Sequence, residues 1–149
     1  MMQVSEQGIE LIKQLEGFSD VAYPDPATGS APYTIGFGRT HKVKPDQRCD
    51  RMQADYWLRH QDAPRAAECV NKHVKRPLRQ QEFDALVSFV YNVGCVNFRQ
   101  STLLKLLNQG NKKAASSEFP KWVYAAHKQL PGLVKRRARE RDVFDNGYL

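Results

Sequence analysis

Two carboxylates and a hydroxyl near the start of the chain are of the types that acetal cleavage requires. Glu16 lies in Leu15-Glu16-Gly17-Phe18, Asp25 in Pro24-Asp25-Pro26-Ala27-Thr28-Gly29, and Thr34 in Tyr33-Thr34-Ile35-Gly36-Phe37-Gly38. A carboxylate in the last turn of a helix faces the negative end of the macrodipole, and apolar neighbours such as Leu15 and Phe18 further disfavour its charged form. Glu16 therefore suits a general acid. A carboxylate in a proline turn open to water keeps its charge, so Asp25 suits support of an oxocarbenium-like centre or of an attacking water. Thr34 could hold that water with its hydroxyl. Each residue also has an ordinary reading: turn former for Asp25, β-favouring residue for Thr34, solvated helix end for Glu16.

These groups need a helix, a turn and a strand to hold them, and the pattern supplies all three. Ser5 caps a helix whose apolar residues Ile9, Ile12 and Leu15, with Leu11 beside them, recur at three- and four-residue steps, and Gly17 stops it. From Val21 to Arg39 prolines and glycines break any helix, while Tyr33 to Gly38 alternates large with small residues and reads as a strand. Its period of two sends Tyr33, Ile35 and Phe37 to the core and leaves Thr34, Gly36 and Gly38 on a face that a ligand can approach. Met52 to Lys75 reads as a helix with a kink at Asp62 to Pro64, a candidate hinge, because proline removes a backbone hydrogen bond. Further helices are expected at Gln80–Val93, Ser101–Asn108, Lys112–Phe119, Pro120–Gln129 and Leu133–Phe144. The division expected is one domain, 1–149: an N-terminal helix (1–16), a small β lobe (17–51), a connecting helix (52–75) and a helical lobe (76–149).

Composition removes several alternatives. The chain has 149 residues, 41% hydrophobic and 26% charged, a globular balance for one compact domain. No apolar run approaches the ~20 residues that cross a bilayer, and the N-terminus lacks a signal pattern, so synthesis in the cytosol is expected. Residues 1–50 carry 5 basic against 7 acidic side chains, and residues 51–149 carry 18 against 9, so the net +7 is a balance of −2 and +9. A basic body attracts anionic polymers without choosing among them. A nucleic-acid-binding module is thereby permitted, but no helix-turn-helix, RNP or zinc-finger pattern accompanies the charge. Cys49, Cys69 and Cys95 are spaced for neither a zinc knuckle nor a redox pair and read as buried or idle thiols. His41, His60, His73 and His127 form no tight pair, so neither metal nor cofactor is expected.

The segments quoted around Glu16, Asp25 and Thr34 resemble the catalytic signature of the phage-type lysozymes, the muramidase endolysins of glycoside hydrolase family 24. Gln81 to Phe89, Tyr91-Asn92-Val93-Gly94, Ser101 to Leu104, and Gly132-Leu133-Val134 with Arg136, Arg137 and Glu140 resemble the family's helical lobe, so nearly the whole chain is covered. The resemblance implies an α+β, two-lobed lysozyme-like fold whose lobes are joined by a long helix. It implies hydrolysis of the β-1,4 bond between N-acetylmuramic acid and N-acetylglucosamine in peptidoglycan, with host lysis as the outcome and inversion expected. Glu16 matches the proton donor, Asp25 the second carboxylate and Thr34 the water-positioning residue. Gly36, Gly38 and Asn92 fall on the substrate side, and Arg136 matches the residue that pairs with the catalytic Glu. For the Lys135-Arg136-Arg137 run a solvated basic face is the competing reading. Arg39 departs from the family, which often has His after G-x-G, so His-linked pH sensitivity is not expected there. A lytic transglycosylase, which needs one carboxyl only, is the nearest enzymatic alternative. The implied partners are the cell-wall substrate and a separate membrane-pore protein, a holin, that releases a monomeric enzyme from the host cytoplasm to the wall.

Overall fold

The computed structural model describes residues 1–148. Helix α1 (Glu6–Glu16) is capped by the Ser5 side chain, which accepts from the Gly8 amide, and it ends where Gly17 takes φ 72°. Strand β1 (Ser19–Tyr23) follows and pairs antiparallel with β2 (Thr34–Gly36), Ser19 opposite Gly36 and Tyr23 opposite Thr34, with an irregularity between. The strand expected over Tyr33–Gly38 is shorter because the chain reverses within it. Ile35 and Arg39 exchange both backbone hydrogen bonds at 2.9 Å, so Gly36-Phe37-Gly38 is a turn, with φ of 65° at Gly36 and 84° at Gly38. Strand β1 itself has no clear alternation, which hid it in the sequence.

The connecting helix is continuous, though not uniformly α. Helix α2 (Arg51–Trp57), capped by Asp50, runs into a π-helical turn (Leu58–Asp62) and then into α3 (Ala63–His73). The expected kink at Asp62 to Pro64 takes this form. Pro64 cannot donate a hydrogen bond, and the turn before it widens so that the Ala63 amide reaches back five residues to the Leu58 carbonyl.

Helix α4 (Gln80–Val93) is the axis of the helical lobe, with every residue from Glu82 to Val90 buried. Short helix α5 (Cys95–Arg99) packs against it, α6 (Thr102–Asn108) and α7 (Lys112–Ser116) pack on each other, and the long α8 (Pro131–Asn146) packs along α4. Phe89 of α4 meets Phe119 and Trp122 at ring-centroid distances of 5.5 Å each, edge to face, a geometry that favours aromatic pairs beyond simple area burial.

Two expectations fail in this lobe. Pro120–Gln129 is not a helix: a 3-10 turn (Phe119–Lys121) leads into a hairpin of β3 (Tyr124–Ala125) and β4 (Lys128–Gln129). Ala126 and His127 both take positive φ, 50° and 66°, at the two-residue loop, a conformation normally signalled by Asn or Gly. The second failure concerns the thiols. Cys69 of α3 and Cys95 of α5 form a disulfide across 26 residues, leaving Cys49 free. An odd count hid a pair, and separation in sequence said nothing of two helices brought together.

Ion pairs lock α1 to the connecting helix. Asp55 accepts from Lys13 of α1 and from Arg59, whose guanidinium also grips both carboxylate oxygens of Glu6 at 2.6 Å. The Lys13 hydrogen bond, helped by Arg59, lowers the Asp55 pKa below its ordinary 3.8. A depressed native pKa means that the unfolded chain binds more protons, so the contribution is present above about pH 4 and is lost as pH falls through the native value. Asp55→Asn is expected to cost about 0.5–1 kcal/mol at neutral pH and to flatten the acid limb of stability. Urea unfolding at several pH values checks both effects.

Candidate active site

Glu16 stands where the α1 cap puts it, in the last helical turn, with its side chain 18% exposed. Its surroundings correct the sequence expectation. Instead of an apolar pocket, Glu16 Oε2 accepts a hydrogen bond from Arg136 Nη1 at 2.6 Å. Oε1 lies over Gly38, where a Cβ would come within 2.5 Å of it. Glycine at 38 is therefore required both by its positive φ and by the carboxyl seated against it.

Gly36 has a different role from the one expected. It is buried and turned toward α2, where a Cβ would meet the Ala54 Cβ at 3.0 Å. The reversal at Gly36 breaks the period-two pattern, so this glycine serves close packing of the hairpin on the helix and faces no open groove. Tyr91 of α4 holds the same turn by donating its hydroxyl to the Phe37 carbonyl at 2.7 Å. Burial raises the Tyr91 pKa strongly, which keeps the phenol protonated as a donor.

Asp25 caps its own loop. Its Oδ1 accepts from the Ala27 amide at 2.9 Å, and its carbonyl accepts from Thr28 and Gly29. Thr34 begins β2 opposite Tyr23, two residues before Asp25, so the ladder sets both on the far end of the hairpin from Gly36 and Gly38. Among the described residues no hydrogen bond joins Glu16, Asp25 and Thr34 to one another. The β-hairpin carries Asp25 and Thr34, and α1 carries Glu16.

Arg136 is no solvated helix face. It is 5% exposed, and Arg137 and Glu140 are fully buried. Arg136 donates through Nε to Glu140 Oε2 at 3.1 Å, through Nη2 to the Ser88 carbonyl at 3.1 Å, and through Nη1 to Glu16. Ser88 Oγ adds a 2.5 Å hydrogen bond to Glu140. Arg137 lies 3.1 Å from Glu140 Oε1, at an angle that misses a hydrogen bond, and its Nη1 has no partner among the described residues. Burial works against the Arg136 cation, but the Glu16 and Glu140 carboxylates outweigh it and raise its pKa. Burial raises the pKa of Glu140 and pulls Arg137 down to about 10, so the guanidinium still holds its proton at neutral pH. Asn92, exposed in the last turn of α4, accepts from Arg137 Nη2 through Oδ1, and its amide NH2 has no protein partner among the described residues.

Sequence reasoning did not find Glu140, Ser88 or Asp62 as supports. Glu140 had a signal, since it sits three and four residues after Arg137 and Arg136, the spacing of facing side chains on a helix. Asp62 had none. It ends the π turn and accepts from the single Arg39 Nη1 through both carboxylate oxygens, at 2.9 and 3.1 Å, while the Arg39 guanidinium also lies 4.9 Å from the Trp57 ring centroid. The Arg39 side chain is 11% and that of Asp62 9% exposed, so this pair ties the hairpin to the connecting helix with little solvent screening.

The geometry is a carboxyl at the end of α1 held by a buried guanidinium of the helical lobe, beside a β-hairpin that carries a second acid. The phage lysozyme family model matches residues 13–140, and the chain belongs to that family. It is 44% identical over 147 residues to the endolysin of Bacillus phage PZA, an alignment covering 98% of this chain and 56% of that protein. It is 39% identical over 149 residues to the endolysin of Acyrthosiphon pisum secondary endosymbiont phage 1, covering 97% and 99%. The muramidase domain of SpmX from Asticaccaulis excentricus superposes with a TM-score of 0.87 at 35% identity, covering 97% and 98%. The chain thus spans about half the length of the first relative and nearly all of the second.

Proposed function

We propose that this chain hydrolyses the β-1,4 bond between N-acetylmuramic acid and N-acetylglucosamine in bacterial peptidoglycan, with inversion at the anomeric carbon. The observation that carries the reading is the asymmetry of the Glu16 carboxyl: Oε2 is held by Arg136, while Oε1 over Gly38 has no protein partner among the described residues. Oε1 is then the oxygen that carries and delivers the proton. Arg136 is shared with Glu140 and so is not committed to Glu16 alone. Asp25, on its loop, supports the positive charge that develops at the anomeric carbon, and Thr34 orients the water that attacks from the opposite face. The free NH2 of Asn92 donates to the sugar.

Holin-dependent release, residence in the host cytoplasm before lysis and a monomeric state belong to the same proposal. No helix among the described residues is long and apolar enough to cross a membrane. Digests of purified peptidoglycan analysed by mass spectrometry test the reaction. Hydrolysis is expected to leave reducing muramic acid ends, each heavier by one water than the anhydro ends of a transglycosylase. A preponderance of anhydro ends would overturn the reading.

A further inference from the structure

The disulfide is bordered by a third group that the glycosidase chemistry does not use. Cys69 and His73 lie one helical turn apart on the same face of α3, and Cys95 opens α5 across from them. One ligand-capable atom from each, the two sulfurs and an imidazole nitrogen, all fall within 4.8 Å of one another. Cys69 is buried, His73 half-buried and Cys95 exposed, so the cluster is anchored on one side and open on the other.

We infer that, when the Cys69–Cys95 bridge is reduced, Cys69, His73 and Cys95 form a three-ligand site for a zinc-class divalent cation, with solvent in the fourth position. Two thiolates and an imidazole are a donor set that selects borderline-soft, tetrahedral metals over magnesium or calcium. The spacing permits it. Bonds of about 2.3 Å from zinc to each sulfur place the sulfurs roughly 3.8 Å apart in a tetrahedron. The two Cα atoms, 6.0 Å apart, allow that separation by side-chain rotation, Cys95 having an exposed side on which to move. A neutral imidazole and two thiolates are the ligating forms, so binding is expected to tighten as pH rises.

The site and the bridge exclude each other. Reduction takes up two electrons and two protons to give two thiols, with a dithiol or phosphine as the reductant, and metal binding then releases the two thiol protons. Either way α5 is tied to α3. Metal does in a reducing compartment what the disulfide does in an oxidising one. Cys95 also lines a cavity shared with Gly38, Arg39, Asp62 and Tyr91, so the tie lies beside the turn that seats Glu16.

The test does not depend on lytic activity, so its failure is separate from failure of the glycosidase reading. The full chain carrying Cys49→Ser is reduced with a phosphine under anaerobic conditions and titrated with Co²⁺. One equivalent is expected to give thiolate-to-cobalt charge-transfer and tetrahedral d–d absorption, discharged by one equivalent of Zn²⁺. His73→Ala, a substitution outside the core, is expected to weaken Co²⁺ binding tenfold or more, and Cys95→Ser to remove most of the charge-transfer band. The oxidised chain is expected to give neither band. Circular dichroism follows the fold throughout. Absence of the bands in the reduced chain, an unchanged affinity in His73→Ala, the same bands in the oxidised chain, or a reduced chain that unfolds and is not refolded by Zn²⁺ would each overturn the inference.

Discussion

Glu16→Gln is expected to lower the rate of cell-wall lysis by at least about a hundredfold and to leave the fold intact. General acid catalysis is worth roughly 10²- to 10⁴-fold, and an amide has no proton to give to a departing sugar oxygen. The environment explains why the fold survives. Glu16 is partly exposed at the end of α1, and Arg136 keeps Glu140 and the Ser88 carbonyl when the Glu16 charge is removed. The buried guanidinium is therefore not orphaned, and the stability change should stay within about 1 kcal/mol. Turbidity loss of outer-membrane-stripped cells measures the rate, and urea unfolding measures the stability. Undiminished lysis by folded Glu16→Gln protein would remove Glu16 from the proton-donor role.

The parts of this site that local chemistry determines are legible in the amino-acid sequence. Ser5 and Gly17 bound α1 because a cap acceptor and a positive-φ residue are short-range requirements, so the placement of Glu16 in the last turn follows directly. The same holds for Ser101 at the start of α6 and Gly94 at the end of α4. What the sequence hides is set by distant partners. Gly36 and Gly38 look equivalent as small residues on one strand face, yet the reversal at Ile35 and Arg39 sends one against Ala54 and the other against Glu16. Cys69 and Cys95 meet only because α3 and α5 both pack beside α4. The environment of Glu16 differs from its sequence reading for the same reason. Leu15 and Phe18 are its neighbours in sequence, whereas Arg136, 120 residues away, is its neighbour in space.

Removal of the Glu140 charge is expected to be the most damaging single change to stability. Glu140→Gln should cost about 3–5 kcal/mol, a large share of the ~5–15 kcal/mol typical of a whole domain. Glu140 is fully buried between Arg136 and Arg137, and solvent cannot screen the two guanidiniums once their shared carboxylate is gone. Arg137 is the more vulnerable, since its remaining support is the Asn92 carbonyl oxygen and the Phe89 ring, 5.0 Å from the guanidinium carbon. Arg136 keeps Glu16, but with Glu140 lost the guanidinium has only Ser88 behind it, so the hydrogen bond that positions Glu16 Oε2 is held less firmly. The variant should therefore lose rate even in its folded fraction, whereas a purely structural role would lower only the amount of folded protein. Urea midpoints together with lysis rates normalised to folded protein distinguish the two. A midpoint within the equivalent of about 1 kcal/mol of the parent would show that Glu140 does not bind the two arginines into one unit.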